Sequence, residues 1–263
     1  MTSAETKQEL TEEFSGIKYI LTSKMRSKLL LSLYKHPKKL EELRNELKKP
    51  SATILHGLKE LETINLVKKF QKSYELTSNG FLLSTNMIKL IENWNSVNKN
   101  KTFWNSHDIS QLPEDLLKNI YLLKDAEYVN STTTNLSNAF NTYINLISNT
   151  KNLDIILPIY SENHLKYFIE LLRKDKLDSL NLIINKKILN SMKKNDILNE
   201  SILKNEKVSI KCIDEELKIF LTCSDDFMTL TLFFNDGHYD DSQILVAKDD
   251  NAIKWATTLL NFI

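Results

Sequence analysis

One short run near the end of the chain combines acidic residues and a histidine beside a glycine, as a cation-binding loop would. Asp236-Gly237-His238-Tyr239-Asp240-Asp241 supplies carboxylate and imidazole groups in close succession. The run has neither the spacing of a calcium-binding loop nor a pair of zinc ligands at the usual separation. Asp-Gly is also a common turn between two strands. We therefore favour a hairpin turn over a metal site, and predict no bound metal and no cofactor.

The other residues that could carry catalysis are scattered. Cys212 and Cys223 form no CxxC motif, and each is expected to be a small core residue within a strand. His107 and His164 stand apart from other candidate ligands in the sequence. The chain contains only 4 Gly, and it lacks a Gly-rich phosphate loop, a nucleophile elbow and a paired-carboxylate signature. The sequence therefore predicts a protein that is not an enzyme.

A polar stretch in the middle of the chain is a candidate ligand site. Ser131, Thr132, Thr133, Thr134 and Asn135 follow a predicted strand and precede a predicted helix. In open α/β sheets ligands bind at this position, where the backbone N–H groups of a helix N-terminus suit an anion. Polar side chains are also what any helix start requires, so a capping role is the alternative.

The composition is that of a globular chain in a reducing compartment. Its 263 residues, 41% hydrophobic and 26% charged, suffice for two domains with real cores. The apolar runs are too short for a membrane-spanning helix. The opening residues, MTSAETKQELTEEF, are acidic and polar, unlike a signal peptide. We expect a soluble, cytoplasmic protein without disulfides and without a membrane partner.

The net charge of +1 hides a concentration of basic residues near the N-terminus. Residues 23–76 contain thirteen Lys/Arg and six Asp/Glu, which leaves the rest of the chain with a net negative charge. A compact basic segment on an acidic remainder indicates a module that binds an anionic partner. A solvated lysine-rich surface is the alternative.

The basic segment has the periodicity of three short helices followed by a hairpin and a further helix. Apolar residues at helical spacing predict the three helices. Ser51 or Thr53 is expected to cap the third, and Asn65 to adopt a left-handed conformation after it. The predicted elements are helices over 25–34, over 40–47 and from 51 onward, strands over 67–70 and 73–76, and a helix over 81–94.

SATILHGLKELETINLV followed by YELTSNG resembles the recognition helix and wing of ArsR-like and MarR-like winged helix-turn-helix regulators. The resemblance covers about residues 23–94 and implies binding to double-stranded DNA. A winged helix that contacts only protein is the alternative.

The side chains expected to face DNA lie on the outward side of the third helix and on the hairpin. They are Ser51, Ala52, Thr53, Leu55, His56 and Lys59 on the helix, and Lys68, Lys69 and Lys72 on the hairpin. His56 and Thr53 can hydrogen-bond to bases or phosphates, whereas the lysines suit phosphate. The helix face has no Arg, Asn or Gln, the usual bidentate readers of guanine and adenine. We therefore expect recognition of DNA shape or of an AT-rich target.

A homodimer on a palindrome is expected, because one such module reads only a few base pairs. The segment before Ser23 and the helix over 81–94 are the candidate dimer surface.

Beyond residue 113 the pattern alternates strands with helices. This alternation, followed by strand pairs, predicts an α/β sandwich with a mixed sheet. The predicted strands are 126–130, 153–159, 179–184, 208–213, 217–223 and 228–234, and the predicted helices include 136–148, 162–174, 187–192 and 251–263.

SDDFMTLTLFFNDGHYDDSQILVAKDDNAIKWATTLL, together with LPEDLLKNIYLLKDAEYV, resembles the regulatory domain of archaeal methanogenesis regulatory proteins, found mostly in methanogens. That resemblance implies transcriptional regulation and supplies no ligand. The order of elements is also similar to one half of a phospholipase-D-like fold. The HxKxxxxD motif of those enzymes is missing, so that similarity does not extend to catalysis.

The predicted organisation is a winged helix-turn-helix domain with flanking dimerisation helices over 1–97, a linker over 98–112, and an α/β regulatory domain over 113–263. The predicted function is sequence-specific transcriptional regulation by a homodimer, controlled by a small-molecule effector or partner of unknown identity. The alternative is a protein-interaction scaffold, or an enzyme with a catalytic α/β domain.

Overall fold

The computed structural model describes residue 14 and residues 16–263. The chain divides into two compact units, of which the first ends at Ile91 and the second begins at Glu92. The division therefore falls before the predicted boundary at residue 97. Within the described part of the chain, no helix combines the length and apolar character needed to cross a membrane.

The first unit has three short helices, a three-stranded antiparallel sheet and the start of a long helix. Its strands lie in the order β1-β3-β2. The predicted helices and hairpin are all present, and the two-residue strand β1 was not predicted. The elements are α1 (Lys24–Leu33), β1 (Lys38–Lys39), α2 (Leu40–Leu47), α3 (Ser51–Thr63), β2 (Val67–Phe70), β3 (Ser73–Leu76) and α4 (Ser78–Lys99).

The core of the first unit forms where the leucine stripes of its helices meet. Leu29, Leu43 and Leu58 are fully or almost fully buried, one from each short helix. Lys38 on β1 is also buried, and its ammonium donates to Ser32 and Glu46. A buried lysine paired in this way ties β1 to α1 and α2, because an unpaired buried charge would be costly.

The second unit is built on one seven-stranded sheet with helices on both faces. Its elements are α5 (Lys101–Ser106), α6 (Glu114–Leu117), a 3-10 turn (Ile120–Leu123), β4 (Glu127–Asn130), α7 (Asn138–Ile147), β5 (Asn152–Ile156), α8 (Glu162–Arg173), β6 (Ser179–Asn185), α9 (Lys186–Lys193), α10 (Asp196–Leu198), a π-helical turn (Asn199–Leu203), β7 (Val208–Ile213), β8 (Ile219–Cys223), β9 (Met228–Leu232), β10 (Gln243–Ala247) and α11 (Asp250–Phe262).

The sheet is mixed, as predicted. The strand order is β4-β10-β9-β8-β5-β6-β7, in which β5, β6 and β7 are parallel and the remaining pairs antiparallel. The change from parallel to antiparallel pairing falls at β5. Strand β10, which the sequence analysis did not predict, fills the position between β4 and β9.

Side chains alternate between two cores, one on each face of the sheet. On β8, Ile219 and Leu221 join the core beneath α11, whereas Phe220 joins the core beneath α7 and α8. Trp255 of α11 is almost fully buried and its indole N–H donates to the carbonyl oxygen of Leu116 at 3.1 Å. Successive side chains of β8 thus point to opposite faces of the sheet, and this strand contributes to both cores of the unit.

The segment predicted as a linker over 98–112 belongs to the fold. Phe103 of α5 is fully buried in the core beneath α11, and the Trp104 indole donates to the Tyr128 hydroxyl at 2.9 Å. The prediction of a linker was wrong because Phe103 and Trp104, two neighbouring aromatic residues, are too few to show the periodicity of a helix. Cys223 is buried as predicted, but Cys212 is exposed, because β7 is an edge strand.

Candidate functional site

The backbone of helix α3 at Gly57 packs closely against side chains of α1. Ile54, Leu58 and Leu61 form the buried side of α3, as predicted. A Cβ atom on Gly57 would lie 2.8 Å from Leu29 Cδ1, so only glycine fits the contact without displacing that side chain. The buried stripe and this glycine leave the opposite face of α3 exposed.

The cap of α3 differs from the prediction. The N-cap is Pro50, Ser51 is the first helical residue, and no side chain caps the helix. Pro50 cannot cap through a side-chain oxygen, and the Ile54 N–H donates to its carbonyl at 3.2 Å. Ser51 and Thr53 are therefore not needed to cap the helix.

The six residues of α3 that were predicted to face DNA share one side of the helix. Ala52, Thr53, Leu55, His56 and Lys59 are exposed, and Ser51 is half-buried. The acidic residues of α3 lie in its second half. Glu60 is held by Arg26 at 2.9 Å and by the Tyr19 hydroxyl at 3.2 Å, while His56 Nε2 lies 3.7 Å from the same carboxylate. The first half of the exposed face is thus free of carboxylates.

A tight turn fixes the wing to the end of α3. Asn65 has a φ of 57°, which confirms the predicted left-handed conformation. The Thr77 hydroxyl donates to the Asn65 carbonyl at 2.6 Å and accepts from the Gly80 N–H at 3.1 Å. A Cβ atom on Gly80 would lie 1.9 Å from the Leu66 carbonyl oxygen. Thr77 and Gly80 of the motif Tyr-x-Leu-Thr-x-x-Gly therefore allow α4 to approach this turn closely.

The three predicted wing lysines are exposed on the β2–β3 hairpin but differ in their contacts. Lys68 Nζ lies 3.0 Å from a Glu75 carboxylate oxygen across the hairpin. Lys69 Nζ is 5.7 Å from the centre of the Tyr74 ring. Lys72 follows Gln71, whose φ of 52° makes the turn. Lys69 and Lys72, together with Lys59, form no ion pair with any described carboxylate.

The predicted ligand residues Ser131 to Asn135 are engaged in local hydrogen bonds. They form the turn before α7, where Ser131 Oγ accepts from the Ala139 N–H at 3.2 Å. Thr132 and Asn135 exchange backbone hydrogen bonds. Several of these side chains therefore serve the turn at the start of α7, and their neighbours Leu136 and Ser137 line a cavity.

That cavity, of about 330 Å³, lies at the carboxyl end of β5 beside the starts of α7 and α8. Ligands in open α/β sheets bind in this kind of position. Five aromatic rings line it, and they come from three helices or strands and one loop. They are Phe140, Tyr143, His164, Phe220 and Tyr239. The sequence offers no signal for this site, because these residues share no local spacing.

The rings of the cavity pack against one another. The His164 ring lies 4.9 Å from the ring of Phe140, 5.3 Å from that of Tyr143 and 5.3 Å from that of Phe220. Burial lowers the pKa of His164 to about 4, because an imidazolium would lose its hydration there. His164 is therefore neutral at pH 7, and it is not isolated as the sequence suggested.

A buried acid–base pair lies beside the cavity. His107 Nε2 is 3.0 Å from Asp240 Oδ2, and both residues are almost fully buried. Asp240 Oδ1 also accepts from the N–H and hydroxyl of Ser242. The run Asp236 to Asp241 is thus a turn, as favoured, but one whose Asp240 points inward. Among the described residues, no three acidic, His or Cys side chains gather as a metal site.

These features define a class of protein in which a winged-helix unit is followed by an α/β unit, and in this chain the α/β unit has a cavity lined by aromatic rings. The model of the N-terminal domain of methanogenesis regulatory protein FilR1 matches residues 14–94, and that of its middle domain matches residues 136–263. The chain belongs to the family of these methanogenesis regulatory proteins.

One curated relative is methanogenesis regulatory protein FilR1 of Methanothrix harundinacea (strain 6Ac), 25% identical over 252 residues. The alignment covers 94% of this chain and 56% of the relative, so the chain spans little more than half of that protein.

Two solved structures show distant likeness. TrmBL2, an archaeal chromatin protein, is 14% identical with a TM-score of 0.40, over 89% of this chain and 88% of that one. The methyltransferase CalO1 is 11% identical with a TM-score of 0.24, over 82% of this chain and 67% of that one. Neither overlay is close enough to assign an activity.

Proposed function

We propose that the protein is a transcriptional regulator that binds double-stranded DNA as a homodimer and has no catalytic activity. The observation that carries the proposal is the exposed first half of α3, which has no carboxylate and adjoins a basic hairpin. Membership in a family of regulatory proteins supports it.

In this proposal α3 lies in the major groove, in the manner of ArsR-like regulators, and the hairpin lies along the backbone. Thr53 and His56 offer hydrogen-bonding groups to base edges, and Ala52 and Leu55 offer apolar contacts to thymine methyl groups. Lys59, Lys69 and Lys72 neutralise phosphates, because their ammonium groups are not taken by described carboxylates.

We propose a homodimer because a single recognition helix contacts only a few base pairs. Leu82 and Leu90 of α4 are 63% and 59% exposed, and apolar side chains exposed in this way mark interaction surfaces. The described part of the predicted dimer surface is therefore apolar. The other predicted part, before Ser23, lies partly outside the described residues.

An effector in the second unit would act only through different affinities for two states of the protein. The cavity at the carboxyl end of β5 is our candidate for that effector, in place of Ser131 to Asn135.

The test begins with selection of bound sequences from a random double-stranded DNA pool, followed by affinity measurements over a range of salt concentrations. We expect an enriched palindrome. We expect Lys59→Ala and Lys69→Ala each to flatten the slope of log affinity against log salt by about 1.8, because the dimer carries two copies of each lysine and two fewer counterions are released. His56→Ala is expected to change sequence preference.

Lys193→Ala, which removes an exposed lysine from α9 of the second unit, is the matched control and should leave the slope unchanged. Unchanged DNA binding in the Lys59, Lys69 and His56 variants would contradict the assigned interface. If no sequence is enriched and binding disappears at moderate salt, the winged helix serves protein contacts instead.

A further inference from the structure

The charge of the cavity at the carboxyl end of β5 distinguishes it from an anion site. Its lining includes the carboxylates Asp240 and Asp241 and, among the described residues, no Lys or Arg. Among the charged side chains of the lining, a phosphate or carboxylate ligand would therefore meet only like charge and find no cationic partner. The anion expected from the helix-start pattern does not suit this cavity.

The two carboxylates of the lining differ in what they can offer a ligand. Asp240 is buried and held by His107 and Ser242. Asp241 is exposed and takes part in none of the described hydrogen bonds or ion pairs. Asp241 is thus the acidic group available to an incoming molecule.

The aromatic rings present apolar π surfaces because their polar atoms are engaged elsewhere. The Tyr143 hydroxyl lies 3.1 Å from Thr222 Oγ1, and His164 Nδ1 lies 2.8 Å from Ser161 Oγ. The Tyr143 and Phe220 rings are 5.5 Å apart at 64°, and the Phe220 and Tyr239 rings are 6.3 Å apart. The rings therefore meet at different angles around the cavity.

The one lining group that could become cationic stays neutral. His164 is uncharged at pH 7 for the reason given above, so it does not repel a positive ligand. Neutral polar side chains, among them Thr229 and Gln243, complete the wall.

We propose that this cavity binds a small organic cation, a quaternary ammonium group carried on a short apolar body. Aromatic faces attract such a cation through their quadrupoles, and Asp241 supplies the opposite charge. The volume of about 330 Å³ lies at the small end of the range for ligand sites. Only the regulatory consequence of binding rests on the proposed function, because the site itself lies within the second unit.

The test compares two probes of nearly the same shape. Choline carries a quaternary ammonium group, and 3,3-dimethyl-1-butanol replaces its nitrogen with carbon. Isothermal titration of the full chain with each is expected to show choline binding at least about threefold more tightly, a factor typical of cation–π contacts. Equal affinity for the two probes, tighter binding of the neutral alcohol, or no binding of either would overturn the proposal.

Variants locate the binding. Asp241→Asn and Phe140→Leu are each expected to weaken choline binding about three- to thirtyfold, while Asp236→Asn, an acid of the same turn outside the cavity lining, leaves it unchanged. Phe140 is only half-buried, so its variant is expected to remain folded, and circular dichroism checks this. Choline binding that none of the cavity variants alters would place the cation elsewhere and overturn the assignment.

Measuring DNA affinity in the same samples separates the two proposals. Choline binding without DNA binding would leave the cation site standing and remove the regulator. DNA binding without choline binding would overturn the cation site and leave the proposed regulatory function standing.

Discussion

At the scale of single residues, hydrogen-bonding contacts at both ring nitrogens constrain His107 in the buried pair His107–Asp240. His107 Nδ1 lies 2.6 Å from the Phe103 carbonyl oxygen, which can only accept, so Nδ1 must carry a proton. Nε2 faces the Asp240 carboxyl group at 3.0 Å. The contact between these two atoms joins the end of α5 to the loop before β10.

Removing the carboxylate tests this pair. Asp240→Ala is expected to cost about 3–5 kcal/mol in the free energy of unfolding, because it leaves the buried imidazole without a partner. Asp240→Asn should cost less, since its amide can donate to Nε2 of a neutral His107. Urea unfolding at pH 7 measures both, with the exposed Asp236→Ala as control. Equal losses for Ala and Asn would show that the hydrogen bond to Nε2 contributes nothing.

The same pair predicts acid sensitivity. Burial raises the pKa of Asp240, but hydrogen bonds from His107 and Ser242 outweigh burial and hold the pKa below its ordinary value of 3.8. A carboxyl whose folded pKa is lowered stabilises the fold above its unfolded pKa and loses that contribution as the pH falls through the folded value. The stability difference between the wild type and Asp240→Asn should therefore narrow below about pH 4.

At the scale of elements, the turn between α3 and the wing depends on one glycine. Gly80→Ala would place a Cβ atom 1.9 Å from the Leu66 carbonyl oxygen, a backbone atom that cannot move aside without shifting the turn. We expect a loss of about 3 kcal/mol in the free energy of unfolding. Gly16→Ala, where a Cβ meets no atom within 4 Å, is the matched control. Similar stabilities of the two variants, measured by urea unfolding, would mean that the turn relaxes easily.

Local periodicity predicted the elements of the first unit because each helix buries one face of regular spacing. Leu29 and Leu58 could therefore be placed before the structure was known. The segment around Phe103 could not, because its burial depends on a sheet face assembled from distant strands. Strand β10 was missed because its four-residue apolar run, Ile244 to Ala247, is as compatible with a buried helix as with a strand.

The exposed face of α3 could be predicted from the sequence, since it is the outward complement of a buried stripe. The cavity was not predictable, because Phe140, His164 and Phe220 come together only when α7, α8 and β8 pack on one sheet face. The segment that the sequence did single out, Ser131 to Asn135, forms the turn before α7, and ligand binding there stays a prediction.

At the scale of the whole molecule, the proposed function requires two copies. The concentrated positive charge over 23–76 favours DNA, and a palindromic site doubles the number of phosphate contacts, so affinity and its salt dependence should both follow the oligomeric state. A monomer would lose half of those contacts even with an intact α3.

The double variant Leu82→Ser/Leu90→Ser is expected to shift a dimer to monomer in sedimentation analysis, because it removes two exposed apolar side chains from α4. It should also roughly halve the salt slope of DNA binding, since only one module then contacts each site. Ile197→Ser, an equally exposed apolar residue of the second unit, is the control and should alter neither. A double variant that stays dimeric with an unchanged slope would move the dimer surface away from α4 and leave the segment before Ser23 as the remaining candidate.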